Sequence, residues 1–439
     1  MLPSVPCDVA DSKCLFVECY RFHCMIRSAE PNQIIYASKP ARSKARSIFA
    51  SILIIINSFI FIFAYYDTLQ AMDPESYTEH SSNTVQLFNL TASYISGQCL
   101  YYNDSDIPPM RDEIWVMYNL LNDEDKKVYN LFLNLVEHRN EDDYTNGIII
   151  DKQTLEEIGS DHFWKIYDAM LYDHPEFFFL ISNSDMISCQ SITTANYKTF
   201  IYAMNPETEK ESQQIKAFDA ATEEFLSDID LNLPKEEIEL AIHDKLISLV
   251  SYDYDLLEET KLDNTIRDLG QSAYGALVCD SYGRPNSAVC MGYSFAFEYL
   301  CQLAGIPCCT ITGNVSNITD DPSEHIENGH TWNGVKIDNR WYEVDVTWDD
   351  YEYKEPMELS FFEALQSDSE KFYNLLHHFY NKTTAEMEYL YAEEDTIFEI
   401  EGYLPFSIRE DSSHIRYTAI KGDPGDSDAF RNRLIPIAY

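Results

Sequence analysis

Ala288-Val-Cys-Met-Gly-Tyr-Ser-Phe-Ala-Phe297 is the stretch on which the reading of this chain turns. Tyr293, Phe297, Leu300, Cys301 and Ala304 recur at helical spacing, and Gly305 and Pro307 end the periodicity. Cys290 therefore falls within one residue of a helix N-terminus, where unpaired N–H groups and the helix dipole favour negative charge. A thiol attacks as thiolate, so this position suits a nucleophile, and the same N–H groups suit an oxyanion. Gly292 in the first turn is expected to let a substrate backbone approach. Cys301, Cys308 and Cys309 read instead as small buried apolar residues.

Downstream, His330-Thr-Trp-Asn-Gly-Val-Lys-Ile337 and Arg340-Trp-Tyr-Glu-Val-Asp-Val-Thr-Trp348 alternate in polarity around Asp338-Asn339, a pair suited to a two-residue hairpin turn with positive φ. A tight turn there places Lys336 opposite Trp341 and Trp332 opposite Asp345. His330 then shares the face of Trp332 and lies diagonally from Asp345, within reach of a side-chain hydrogen bond. A carboxylate so placed fixes the tautomer and orientation of an imidazole, as a third triad member does. A one-residue slip in register sends the two side chains to opposite faces. A metal-binding alternative, drawing on Asp320, Asp321, Glu324, His325 and His330, is weakened by irregular spacing.

Cys, His and Asp in this order resemble the transglutaminase-like superfamily, whose fold is papain-related. The resemblance is carried by Ser272-Ala-Tyr-Gly-Ala-Leu277, by Ala288–Phe297 with Ala304-Gly-Ile-Pro-Cys308, by Gly329-His-Thr-Trp-Asn-Gly-Val335 and by Trp341-Tyr-Glu-Val-Asp-Val-Thr-Trp-Asp-Asp350, and it spans about 236–355. Tyr167–Phe178 and Ile242-His-Asp-Lys-Leu246 also resemble the helical N-terminal part of exported bacterial proteins with this domain. The resemblance implies Cys290 as nucleophile, His330 as general base and then acid, and Asp345 as orienting group, with no cofactor and no metal. It implies an α+β, papain-like core in which the Cys-bearing helix packs on an antiparallel sheet. The segment Asp280–Ser287 is longer than the usual turn before this cysteine, and Met291 stands where a small or acidic residue is common.

The 439 residues are enough for more than one domain, and the formal charge of -43 lies almost wholly beyond residue 66. Such a surface repels phosphate backbones and excludes nucleic acid as a natural partner. With 31 Tyr and 24 Phe the chain is too apolar for global disorder. Ile48–Tyr66 carries no charge and spans about 28 Å as a helix, close to a bilayer core. Lys39, Arg42, Lys44 and Arg46 precede it, so a single-pass anchor with residues after 66 outside the cell is expected. Secretion after signal cleavage is the alternative, although Leu69 stands where a small residue belongs before a site after Ala71. Residues 1–46 hold Cys7, Cys14, Cys19 and Cys24 without zinc-site spacing and read as a cytoplasmic or disordered leader, with Met25 an alternative start. The remaining seven cysteines are odd in number, which leaves at least one thiol free of intrachain pairing.

Residues 67–110 read as a polar stalk and 111–232 as a helical α+β domain. Within the latter, helices are expected over about 111–121, after Asn122, and from Thr154 to Leu171. Phe177–Ile181 is expected as a buried strand and Cys189–Met204 as a strand pair. His174 reads as a turn residue and Tyr274 as lining the site without an assigned role. A transglutaminase-like domain is expected over 233–392 and a β-rich tail over 393–439. Function is then expected to be a surface-exposed cysteine hydrolase or acyltransferase acting on a protein, peptide or cell-wall amide, with hydrolysis favoured. The alternative is a catalytically silent module of the same fold that binds a cell-wall or host ligand.

Overall fold

The computed structural model describes residues 100–101, 113–140, 147–183, 186–193, 198–263, 265–317, 328–350, 369–390, 397–398, 406–407, 412–417 and 427–439. The expected anchor at Ile48–Tyr66, the leader and most of the stalk lie outside them. Among the described residues no helix is long and apolar enough to cross a membrane.

The first helices are α1 (Val116–Leu120), α2 (Asp123–Glu137), α3 (Lys152–Ile158) and α4 (Ser160–Asp173). Asn122 opens α2 as expected, its side-chain oxygen accepting from the Glu124 and Asp125 amides. The single helix expected over 154–171 is two. Gly159 adopts φ +86, ends α3 and lets the chain restart as α4, while Asp151 caps α3 through the Thr154 amide. Phe177–Ile181 is not a strand: a 3-10 turn at Pro175–Phe177 runs into helix α5 (Phe178–Ser182). Phe178, Phe179 and Leu180 are buried there, and Phe178 stacks within 4.6 Å of Tyr274 and 5.2 Å of Phe218. A short apolar run fits either state, and here aromatic packing on a helix side satisfied the side chains.

Two compact units divide the chain. The smaller takes in residues 130–164 and 185–206 and contains a four-stranded sheet. Its strands β1 (Leu100–Tyr101), β2 (Gly147–Asp151), β3 (Ile187–Thr193) and β4 (Lys198–Met204) are ordered β1-β2-β4-β3. Phe132, Phe163, Trp164 and Tyr202 form its aromatic cluster.

The larger unit takes in 107–129, 165–184 and 207–439. Helix α6 (Glu209–Ser227) starts at a capping box formed by Thr208 and Glu211. Helix α7 (Lys235–Leu249) buries Ile238, Ile242 and Leu246, as its spacing requires, but leaves Leu249 exposed. Strand β5 (Ser251–Tyr252), α8 (Tyr254–Leu262), a 3-10 turn at Leu269–Gln271, α9 (Ala273–Leu277) and β6 (Ser287–Ala288) lead into α10 (Cys290–Leu303). Strands β7 (Cys308–Asn317), β8 (Asn328–Ile337) and β9 (Arg340–Val344) follow, then α11 (Val346–Asp349), α12 (Ser369–Leu376) and α13 (Thr384–Glu388). The expected β-rich final segment contains β10 (Ile397–Phe398), β11 (Phe406–Ser407) and β12 (Ser412–Arg416), and adds a closing helix α14 (Ser427–Leu434) that was not expected.

An antiparallel sheet of order β12-β7-β8-β9 organises this unit, and α10 packs on β7 and β8. The β8–β9 register is the expected one, with Lys336 opposite Trp341 and Ile337 opposite Arg340. Asp338 and Asn339 take φ 49 and 65, the paired left-handed residues that a twisted two-residue hairpin needs. Beneath the sheet, Cys309, Ile311, Trp332, Trp348, Phe379, Leu390 and Ile435 form the core. Strand β12 pairs with β7 from Ser412–Asn317 to Arg416–Gly313, so a segment far along the chain supplies an edge of the site-bearing sheet.

Candidate active site

Cys290 is the first residue of α10, as its sequence neighbourhood implies. Val289 is the N-cap, in extended conformation, and contributes no side-chain capping bond. No acidic residue lies in the first turn. The first amides of the helix are thus not neutralised by a cap or a neighbouring carboxylate, and their partial positive charge acts on the sulfur and on any oxyanion beside it. Cys290 is partly exposed, whereas Cys301, Cys308 and Cys309 are buried, with thiol pKa values raised by burial.

Gly292 does not serve the role expected of it. It is buried, and a Cβ there would meet the Ala288 Cβ at 2.7 Å, the Gly270 carbonyl oxygen at 2.7 Å and the Ser272 carbonyl oxygen at 3.0 Å. The glycine lets the start of α10 seat against the 3-10 turn rather than against a ligand.

His330, on β8, and Asp345, the residue after β9, come together with His330 Nε2 2.7 Å from Asp345 Oδ2. Asp345 is also the N-cap of α11, its Oδ1 accepting from the Trp348 amide at 3.0 Å. One carboxylate oxygen is therefore held by a helix start while the other faces the imidazole, which fixes the rotamer. With Nε2 committed to Asp345, Nδ1 is the ring nitrogen left for the thiol. Burial works against a charged Asp345, but His330 and the hydrogen bonds from His330 and His414 hold its carboxyl well below the usual carboxylate range. Burial likewise opposes an imidazolium at His330, yet Asp345 and then Cys290 raise its pKa to about 10. At Cys290, burial pushes the thiol up, while the positive His330 and hydrogen bonds with His330 and Thr331 outweigh it and lower the pKa. Together these directions favour the charged forms of thiol, imidazole and carboxyl, each supporting the next.

His414, on β12, escaped sequence reasoning. Its Nε2 lies 2.8 Å from the same Asp345 Oδ2, and the ring is buried between Trp332, Trp348 and Phe379 at centroid distances of 5.3, 4.9 and 5.2 Å. Burial lowers its pKa, which makes it a neutral donor to the carboxylate through Nε2–H. Among the described residues its Nδ1 has no hydrogen-bond partner. His330, Asp345 and His414 also satisfy the ligand-count requirement for a metal. Neither ring, however, has an acceptor among the described residues to hold its other nitrogen as N–H and turn its lone pair inward: His330 Nδ1 is left for the thiol and His414 Nδ1 has no partner. The other residues of the metal-binding alternative, Asp320, Asp321, Glu324 and His325, lie outside the described residues. Tyr274 is a core residue, buried against Phe178 and Phe218, rather than a lining one.

The profile of the Transglutaminase-like superfamily matches residues 227–346, the segment that contains all three expected site residues. A stretch of 67 residues is 36% identical to the human Kyphoscoliosis peptidase and 34% identical to the mouse protein of that name. The match takes in 15% of this chain and 10% of each of those proteins, so the chain spans about a tenth of the length of the curated relatives it matches. A solved structure described as "Crystal structure of a TGase" aligns over 54% of this chain and 60% of its own, at 12% identity and a TM-score of 0.25. Residues 227–346 are thus a transglutaminase-like segment, and within it lie a cysteine at the uncapped start of a helix, a histidine on β8 and an aspartate just after β9.

Proposed function

We propose that the chain is a cysteine-dependent amide or peptide hydrolase, or an acyltransferase, with Cys290 as nucleophile, His330 as general base and acid, and Asp345 as orienting group. The observation that carries this reading is His330, bonded to Asp345 at 2.7 Å and acting on a thiol of lowered pKa. The Cys290 sulfur attacks an amide carbonyl, and the negative oxygen of the tetrahedral species faces the first amides of α10. The imidazolium of His330 gives its proton to the departing amine, the C–N bond breaks and a thioester remains. Neutral His330 then takes a proton from water, or from a second amine, which attacks the thioester and regenerates the thiol. Asp345 stays ionised throughout and holds the ring.

Hydrolysis and transfer use the same groups and differ only in which acceptor reaches the thioester. Similarity to proteins named peptidases supports the hydrolytic branch; a protein, peptide or cell-wall amide is the substrate class proposed.

The test is the pH profile of iodoacetamide labelling at Cys290, with Cys290→Ala as the blank. A lowered thiol pKa predicts labelling that persists to lower pH than that of an ordinary thiol of pKa about 8.5. Deprotonation of His330 near pH 10 should remove the electrostatic support and change the profile a second time. A profile that tracks a free thiol, and is unchanged in His330→Ala, sinks the enzymatic reading and leaves a binding module of the same fold.

A further inference from the structure

A second cluster of histidine and carboxylate side chains lies in the same unit, away from the thiol. His243 and Asp244 are neighbours on α7, and His377 follows the last residue of α12. His243 Nδ1 is 3.0 Å from Asp244 Oδ1, and His377 Nε2 is 2.8 Å from that same oxygen. The other nitrogen of each ring is also engaged by an acceptor. His243 Nε2 is 3.2 Å from Asp349 Oδ2, and His377 Nδ1 is 2.6 Å from the Tyr373 carbonyl oxygen. The side chains of His243 and His377 are buried, at 0% and 7% exposure, while that of Asp244 is 47% exposed.

Both nitrogens of both rings thus face oxygen acceptors. A neutral imidazole has one N–H and one lone pair, so in each neutral ring one lone pair would point at an oxygen lone pair. Charging both rings also removes that conflict, with Asp244 and Asp349 as counter-charges, but it sets two buried cations with ring centroids 5.2 Å apart. A divalent cation resolves it differently. Each ring keeps a single N–H, donated outward to Asp349 or to the Tyr373 carbonyl, and turns its lone pair inward. Metal-bound histidines use their second nitrogen in this way, to fix tautomer and ring orientation.

We infer that His243 Nδ1, His377 Nε2 and Asp244 Oδ1 form a binding site for one divalent transition-metal ion, zinc by its ligand set. The three atoms lie within 4.8 Å of one another. Ligand distances of about 2.0–2.2 Å set ligand atoms roughly 3.4 Å apart in a tetrahedron, so Asp244 must swing outward by a few tenths of an ångström and the two ring nitrogens must settle at the same spacing. Its half-exposed side chain can do so, and it also marks the entry path. Two imidazoles and one carboxylate leave a fourth position for water, and zinc outranks iron(II) in affinity for such a donor set. The formal charge of -43 enriches cations around the protein.

The site extends beyond the proposed reaction and does not depend on it. Zinc there ties α7 to the residue after α12, 133 positions away in sequence, and its outer partner Asp349 accepts from the Phe379 amide at 2.8 Å. The ion accordingly links two helices that lie far apart in sequence.

The test uses the full chain, stripped with a chelator and titrated with Zn2+ alone. Bound metal is counted by mass spectrometry, unfolding temperature is recorded, and Co2+ is added in parallel as a spectroscopic reporter. Wild type should bind one zinc per chain, unfold at higher temperature when loaded, and give the intense visible bands of four-coordinate Co2+. Asp244→Asn changes a half-exposed side chain and should fold. It and His377→Gln should weaken zinc binding at least tenfold and lose the thermal shift. Wild type that takes up no stoichiometric zinc, or variants that bind it as tightly as wild type, would overturn the assignment.

Discussion

Two clusters built from the same residue types sit at the two ends of one short helix, and they are put together differently. At the start of α11, Asp345 receives His330 and His414 on a single oxygen, at 2.7 and 2.8 Å. At its end, Asp349 supports His243 from outside, while His243 and His377 turn their other nitrogens towards Asp244. The first arrangement concentrates N–H donors on an anion and leaves one imidazole nitrogen for a thiol. The second also aims two ring nitrogens at one carboxylate oxygen, but each ring has an acceptor on its outer nitrogen, which allows both lone pairs to turn inward to a cation. Residue composition does not separate proton-transfer chemistry from metal binding; what the outer ring nitrogens meet does.

The largest effect that separates the two is expected from Asp345→Asn. Asparagine caps a helix about as well as aspartate, so α11 and the fold should survive. Loss of the charge removes the support for imidazolium, and turnover or low-pH labelling of Cys290 should fall by about 10^4-fold. Zinc uptake should be untouched in the same variant. If both readouts fall together, the clusters are one site and the contrast drawn between them fails.

A smaller effect is expected at His414. Its bond to the charged Asp345 is of a kind worth about 1.5–3 kcal/mol, so His414→Ala should slow Cys290 labelling by roughly tenfold or more. His414→Gln, which restores an N–H donor, should recover part of the rate. Equal rates for the two variants would reduce His414 to a packing residue among Trp332, Trp348 and Phe379.

The smallest effect is expected from Gly292→Ala. The added Cβ collides with the Ala288 Cβ and the Gly270 carbonyl, and overpacking of this kind costs about 1–3 kcal/mol. Thermal unfolding should register the cost. Labelling should slow only as far as the displaced start of α10 moves Cys290, and zinc binding should stay as in wild type. An unfolding temperature unchanged from wild type would show that the seat against the 3-10 turn yields easily.

Local rules made much of the candidate site legible. Helical periodicity after Cys290 and the Gly305–Pro307 stop placed the thiol at a helix start, because capping and termination are decided within a few residues. Asp338-Asn339 fixed the hairpin, and with it the face shared by His330 and Asp345, because the pleat repeats every two residues. The same local rules failed at Phe177–Ile181, where a strand-like run became helix against Phe218 and Tyr274, and at Gly292, whose close contact is with the fold rather than a ligand.

By itself, then, the sequence determined a thiol at a helix tip and an imidazole with a carboxylate on one face of a hairpin, since steric limits on turns and helix ends act over short separations. Only the tertiary structure decided that His414, 69 residues beyond Asp345, closes on the same carboxylate, and that His243 and His377 converge on Asp244. Those meetings depend on β12 adding to the edge of β7 and on α12 docking beside α7. Such pairings are selected by burial of whole surfaces, and no local spacing rule encodes them.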